Sequence, residues 1–392
     1  MLCKGFKASG VASGLKKKSG EKDLGLIFSE VPANAACVFT KNIVQAAPVL
    51  LDKERIKSGK CQALIVNSGN ANCCNGDQGM QAAIAMTKFA ATELDISENL
   101  VLAASTGVIG KPMPVEKIEK AVPDLVKSLS SEDFSDIAEA IMTTDTIPKI
   151  VSEQGQLDDK TFTVTGVAKG SGMIRPDMAT MLCFVCTDIE ASPDVLKETL
   201  CAAADRSFNR ITVDGDTSTN DMVLVMANGL SGVAIKDQVY KDTFQRALDG
   251  VMIQLAKMMV KDGEGATKFV EISVNGASSE KDARIIADTI AGSNLVKTAL
   301  FGEDANWGRI LAAAGRAGVP FDPDKPDIYF DDVLMVRNGI GCGDTAEAEA
   351  TKVLKKSEFV ITADLKMGNS SASVFTCDFS VDYVRINADY RS

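Results

Sequence analysis

The chain has 392 residues, 45% of them hydrophobic, enough to bury a large core in one big domain or in two to three smaller ones. Its formal charge of −11 argues against nucleic acid or an anionic membrane surface as partner, because no long basic stripe is there to neutralise phosphates, and points to small metabolites. No apolar stretch approaches the roughly 18 residues of a membrane span, so no membrane partner is expected.

Residues 1–23, MLCKGFKASGVASGLKKKSGEKD, lack the apolar core of a signal peptide. They carry Lys and Ser as a transit peptide would, but no Arg, and a cytoplasmic location is expected. Short apolar runs ending in Gly or Asn turns predict buried or half-buried strands at ALIVNSG (63–69), NLVLAASTG (99–107) and TFTVTGVAKGSGM (161–173). Alanine-rich spacing over 79–94 predicts a helix between the first two.

Next, PDMATML (176–182) sets Thr180 between alanine and methionine at the start of an apolar run. A threonine in a buried strand is ordinarily a β-branched filler. The run continues as TMLCFVCTDI, a predicted strand in which Cys183 and Cys186 form a CxxC. Side chains three apart on a strand point to opposite faces, so no metal is expected there. With ten cysteines and no secretion signal, reduced and mostly buried thiols are the expectation.

Ser192 as N-cap and Pro193 in the first turn open a predicted helix over 193–206, and 243–260 and 279–290 have longer amphipathic spacing. MVLVMANG (222–229) and FVEISVNG (269–276) read as strands. VLMVRNGIGCGDTAEAEATKVL (333–354) runs strand, Gly-rich turn, helix. However, Asp344 replaces the third glycine of a G-x-G-x-x-G and puts an acid where a pyrophosphate would sit, which weighs against dinucleotide binding. FTCDFSVDYVRIN (375–387) alternates polar and apolar positions and predicts a docked strand near the C-terminus. Strands and helices intermix throughout without a long linker, which suggests an α/β (α+β) fold of packed sheets with helices outside.

No histidine occurs anywhere in the chain. That removes Ser-His-Asp and Cys-His catalysis, His-ligated zinc and the commonest general base. Ser or Thr can be activated without His by Lys, or by the nucleophile's own α-amine when that residue is a chain N-terminus. Thr180 is internal, so the second route requires the chain to cut itself. Polar clusters collect at strand ends: NSGNAN (67–72), STGVIG (105–110), AKGSGM (168–173) and DGDTSTND (214–221). Each alone is also what turns require.

KGSGMI (169–174), MATML (178–182), DGDTSTND, NWGRILAAAG (306–315) and DYVRINADYRS (382–392), in this order, resemble the ornithine acetyltransferases. These are self-cleaving glutamate N-acetyltransferases of arginine biosynthesis, and the resemblance spans essentially the whole chain. It implies an Ntn-hydrolase-like αββα sandwich cut between Ala179 and Thr180 into an alpha chain (1–179) and a beta chain (180–392). The two would co-fold into one catalytic unit and pair as an α2β2 assembly. Thr180 becomes the N-terminal nucleophile, and its α-amine, with an unperturbed pKa of about 7.7–8.0, serves as base. N2-acetylornithine would acetylate Thr180, ornithine would leave, and glutamate would take the acetyl group in a ping-pong cycle. No metal or redox cofactor is required, and whether acetyl-CoA also serves as co-substrate stays open.

By the same resemblance Thr106 and Gly107 form the oxyanion hole, a turn whose glycine lets backbone N–H groups approach a ligand. Lys169 binds an anionic substrate group, Thr143 of MTTDT donates a hydrogen bond, and Glu264 of KDGEGATK takes a substrate amino group. Asn387 and Ser392 hold the polar α-carbon end of an amino acid. Arg175, where the family more often has a small residue, and Ser392, in place of a terminal threonine, are departures. Two alternatives stay open: a self-cleaving aminopeptidase, in which water takes the acyl group, and an uncut binding homologue. The substrate loops look like the acetyltransferase's.

Overall fold

The computed structural model describes residues 3–175 and 181–389. Ala179, Thr180 and Ser392 lie outside the described residues. The chain divides into two compact units, one containing described residues 3–170, 181–209 and 216–259, the other 171–175, 210–215 and 260–389.

The first unit is built on an eight-stranded mixed sheet. Its members are β1 (Phe6–Val11), β2 (Leu24–Phe39), β3 (Lys60–Asn67), β4 (Val101–Ser105), β5 (Lys149–Leu157), β6 (Lys160–Lys169), β7 (Leu182–Thr187) and β9 (Met222–Ala227). The order is β4-β3-β2-β9-β7-β6-β5, with β1 also on β2. The long β2 shifts register between Phe28 and Ala33, so that its first half pairs with β1 and its second half with β9. Strands β3 and β4 are parallel, as are β7 and β9, and such strands are covered on both faces. Hence β3 reads as a continuous apolar run. Its Ala63 and Ile65 pack with Met86 and Ala90 of α2 (Gly76–Leu94) and with Ile118, Val122 and Leu125 of α3 (Val115–Lys127). On its other face Leu64 and Val66 meet Ile137 and Ile141 of α4 (Ser135–Ile141).

Helix α1 (Ala47–Arg55) buries Asp52, which accepts from the Ala103 amide at 3.1 Å. Helix α5 (Pro193–Arg206) starts as its sequence indicates, with Pro193 in the first turn and Ser192 Oγ accepting from Val195 N at 3.3 Å. Helix α6 (Gln238–Lys261) lies against β6 because Gly166 has no side chain. A Cβ there would come within 2.8 Å of both Val251 and Leu255.

The second unit has a seven-stranded sheet: β8 (Ile211–Thr212), β10 (Phe269–Ala277), β11 (Asp327–Phe330), β12 (Val333–Arg337), β13 (Ile340–Gly341), β14 (Glu358–Asp364) and β15 (Ser370–Cys377). The order is β13-β12-β11-β14-β10-β15-β8. Alternation along β10 buries Val270, Ile272 and Val274 against Ala283, Ile286, Ala287 and Ile290 of α7 (Glu280–Ala291), whose spacing is that of one helix face. Helices α8 (Asn294–Phe301), α9 (Trp307–Gly315) and α10 (Asp344–Leu354) follow, the last after the Gly-rich turn at Gly343.

The expected mixture of α and β is what the chain adopts, but one element differs. The strand expected to run through residue 387 stops at Cys377, and Val381–Ala388 is a helix, α11. Ser380 Oγ caps it by accepting from Tyr383 N at 3.3 Å. A period-2 pattern over so few residues also satisfies an i, i+4 helical face, and Tyr383 and Asn387 share one. The run at 161–173 has its expected form, a strand closed by a Gly turn: β6 ends at Lys169, and Gly170 takes φ 151°. No helix among the described residues is long and apolar enough to cross a membrane.

Candidate active site

In the first unit, three of the polar clusters meet where β3 and β4 end. Ser105 Oγ donates to Asn67 Oδ1 at 2.6 Å, Asn67 Nδ2 to the Asn70 carbonyl at 2.9 Å, and Thr106 N to the Asn67 carbonyl at 3.0 Å. Asn220 Nδ2 ties in the third cluster by donating to the carbonyls of Ala71 (2.7 Å) and Ser105 (2.8 Å). These carboxamides satisfy backbone groups that a sharp turn would otherwise leave buried and unpaired. The turn is Gly107, at φ 129°, and a Cβ there would stand 2.4 Å from the Gly69 carbonyl carbon and 2.6 Å from Asn70 N. Only glycine fits.

Lys169, at the end of β6 and buried, donates from Nζ to Thr106 Oγ1 at 3.4 Å. Lys169, expected to bind an anionic substrate group, and Thr106, expected in the oxyanion hole, are therefore neighbours. Thr143 sits in the segment before β5, half-buried, and its amide donates to Asp145 Oδ2 at 3.0 Å. Asp145 also accepts from Gly170 N and from Lys149 Nζ, each at 2.7 Å. Burial alone would raise the Asp145 carboxyl. The charges of Lys169 and Lys149, the Lys149 hydrogen bond and the Thr143 N–H outweigh it and hold the pKa at about 2.

Asp221 closes this group. Its Oδ1 accepts from Met181 N, the amide that follows Thr180 in sequence, at 2.8 Å. Its Oδ2 is sealed from solvent with no hydrogen-bond partner among the described residues. Burial pushes this carboxyl well above the usual range. The Met181 N–H, the nearby Ser218 and Thr40 hydroxyls and the Lys169 charge act in the opposite sense without reversing it.

The second unit assembles Glu264 and Asn387. Glu264 is buried in the loop after α6, its amide donates to the Ser171 carbonyl at 2.8 Å, and its carboxyl fills the space over Gly172, where a Cβ would be 2.4 Å away. Asn387, on α11, donates from Nδ2 to Glu264 Oε2 at 2.7 Å. The helix is docked by its cap: Ser380 Oγ donates to the Gly265 carbonyl at 2.7 Å, and Gly265 (φ 68°) leaves room for Tyr383 N. Asp214 accepts from the amides of Met173 (2.6 Å) and Ile174 (2.9 Å), and Tyr383 Oη donates to it at 3.3 Å. Arg175 is exposed.

The sequence reading missed Asp145, Asp214 and Asp221 as individual groups. All three lie inside the polar runs MTTDT and DGDTSTND, where a carboxylate among small residues beside a strand is the available signal. Cys183 and Cys186 are both buried on β7, where their spacing turns them to opposite faces. Among the described residues no group of three Cys, Asp or Glu side chains is arranged to hold a metal.

Comparison with known proteins finds relatives along the whole chain. The arginine biosynthesis bifunctional protein ArgJ of Geobacter sulfurreducens is 51% identical over 394 residues, covering 100% of both chains. The protein of the same name from Syntrophotalea carbinolica is 52% identical over 390 residues, covering 99% of each. The crystal structure of the arginine biosynthesis bifunctional protein from Bacillus halodurans superposes with a TM-score of 0.51 at 42% identity, covering 53% of this chain and 98% of that one. The ArgJ family matches residues 7–392, and the chain belongs to it.

Proposed function

We propose that this protein transfers the acetyl group of N2-acetylornithine to glutamate through an acetyl-threonine on Thr180, after cutting itself between Ala179 and Thr180. Membership of a family whose relatives are named for arginine biosynthesis supports acetyl transfer in that pathway. The observation that carries the mechanism is the arrangement around Thr106. Its hydroxyl and the glycine turn beside it end a buried strand, and the Lys169 ammonium stands 3.4 Å from that hydroxyl. Donors fixed at the end of a buried strand, with the Thr106 side chain itself buried, suit an oxyanion that develops during acyl transfer, because they need no reorganisation when charge appears.

In maturation, Thr180 Oγ attacks the Ala179 carbonyl carbon. The C–N bond breaks, which frees the Thr180 amine and leaves an ester of Ala179 on Thr180 Oγ, and water hydrolyses that ester to the Ala179 carboxylate and the free Thr180 hydroxyl. That amine then takes the hydroxyl proton as Thr180 Oγ attacks the acetyl carbon of N2-acetylornithine, and ornithine leaves carrying the proton. Glutamate's amino nitrogen attacks the acetyl-threonine and regenerates the hydroxyl. Thr106 and Gly107 donate to each oxyanion, Lys169 and Thr143 bind polar substrate groups, and Glu264, Asn387 and Ser392 hold the amino-acid end. Residues 1–179 and 180–392 form the alpha and beta chains of an α2β2 assembly in the cytoplasm. No metal or redox cofactor takes part.

The test is an assay of purified protein with acetylornithine plus glutamate beside one with acetyl-CoA plus glutamate. Transfer in the first establishes the activity; transfer in both makes acetyl-CoA a second donor. Release of acetate to water in place of N-acetylglutamate would favour the aminopeptidase-like alternative.

A further inference from the structure

We propose that Asp145 is the positioning residue of the acetyl-transfer site, a single buried carboxylate that fixes the two backbone segments carrying Thr143 and Lys169. The proposal rests on the substrate-binding roles proposed above for those two residues.

Three donors converge on this carboxylate from three places in the chain. Oδ2 accepts from Thr143 N at 3.0 Å, and Oδ1 accepts from Gly170 N and from Lys149 Nζ, both at 2.7 Å. The Asp145 and Lys149 side chains are both 0% exposed. Lys149 opens β5, and its backbone pairs with Ala168, the residue before Lys169. Lys149, the cation of the pair, is thus anchored beside the end of the strand that presents Lys169. Gly170, at φ 151°, takes a conformation that L side chains rarely adopt, so the peptide leaving Lys169 is held in an unusual orientation with its N–H on Asp145. Neither Thr143 N nor Gly170 N is positioned this way by sheet pairing, since Thr143 precedes β5 and Gly170 follows β6.

A structural salt bridge needs only its two ions, whereas this carboxylate also accepts from two amides, that of Thr143 itself and that of Gly170, the residue after Lys169. The carboxylate stays ionised at neutral pH, with Lys169 and Lys149 as its cationic neighbours. Displacing a binding group by about 1 Å costs a rate of the order of 100-fold. Loss of Asp145 frees both segments at once.

The test compares wild type, Asp145→Asn, Asp145→Glu and the pair Asp145→Asn/Lys149→Met, measuring thermal unfolding and kcat and KM for acetylornithine and glutamate on each. Asp145→Asn should lower kcat/KM about 100-fold. It should also lower the melting temperature, because Lys149 is left as an uncompensated buried cation. Replacing both partners of a buried pair is often neutral for stability, so the double variant should regain the melting temperature and not the activity. Asp145→Glu keeps the charge but moves its oxygens by one methylene, and should lose activity while remaining folded. Activity that returns with stability in the double variant would reduce Asp145 to a structural ion and overturn the proposal, as would wild-type kcat/KM in any folded Asp145 variant. Should the wild type itself fail to transfer acetyl between these substrates, the functional reading falls instead, which separates the two failures.

Discussion

Asn387 Nδ2 donates to Glu264 Oε2 across 2.7 Å, joining a residue of the last helix to a buried loop carboxylate 123 positions earlier. Both were expected from sequence to bind the amino-acid substrate, and their pairing means that each presets the other. A free Glu264 would sample rotamers. Bound by Asn387, and set over the bare Cα of Gly172, it is held in one orientation.

Asn387→Ala should therefore raise KM for the amino-acid substrate about 10- to 100-fold, which corresponds to the roughly 1.5–3 kcal/mol of a hydrogen bond to a charged group. Cleavage at Thr180 should proceed as in wild type, because self-cutting needs no free substrate. Steady-state kinetics and intact mass on one sample check both, and an unchanged KM would remove Asn387 from substrate binding.

Thr106→Ala should lower kcat by about 100- to 1,000-fold with a smaller change in binding, the usual effect of losing one oxyanion donor. Gly107→Ala should be worse in a different way. Its Cβ would sit 2.4 Å from the Gly69 carbonyl carbon at φ 129°, so both activity and melting temperature should drop. Retention of wild-type kcat in Thr106→Ala would contradict the role given to this turn.

Asp221 makes stability depend on pH in a definite sense. Its carboxyl titrates well above the ordinary carboxylate range in the fold, so between the unfolded pKa near 4 and the raised folded pKa the native state binds more protons than the unfolded one. Stability from this group is fully present below about pH 4 and falls as pH rises through that window. Asp221→Asn removes the ionisation, so thermal unfolding of that variant should lose less stability between pH 5 and pH 8 than wild type loses. Parallel pH profiles for the two proteins would show that Asp221 does not titrate there.

The sequence carried much of this architecture because its strongest signals are local. Ser192 and Pro193 start α5, and the buried apolar runs of β3, β7 and β9 mark central strands. Thr106, Gly107, Lys169 and Glu264 could be named from motifs. The contacts between them could not: Lys169 reaches Thr106 from 63 positions away, and Asp145 reaches Gly170 across 25. Such pairings arise from strand order, which residue patterning alone does not determine. The helix at Val381–Ala388 was misread for the opposite reason. Its alternating hydrophobicity is short enough to fit two periodicities, and the deciding feature was a single capping hydroxyl, Ser380.

The most direct measurement is the intact mass of a purified preparation whose acetylornithine-to-glutamate transfer has been assayed on the same sample, with Thr180→Ala beside it. The expected result is two fragments, residues 1–179 and 180–392, in the active protein, and one uncut, inactive chain in the variant. A fully active preparation consisting of a single intact chain would contradict catalysis by an N-terminal threonine.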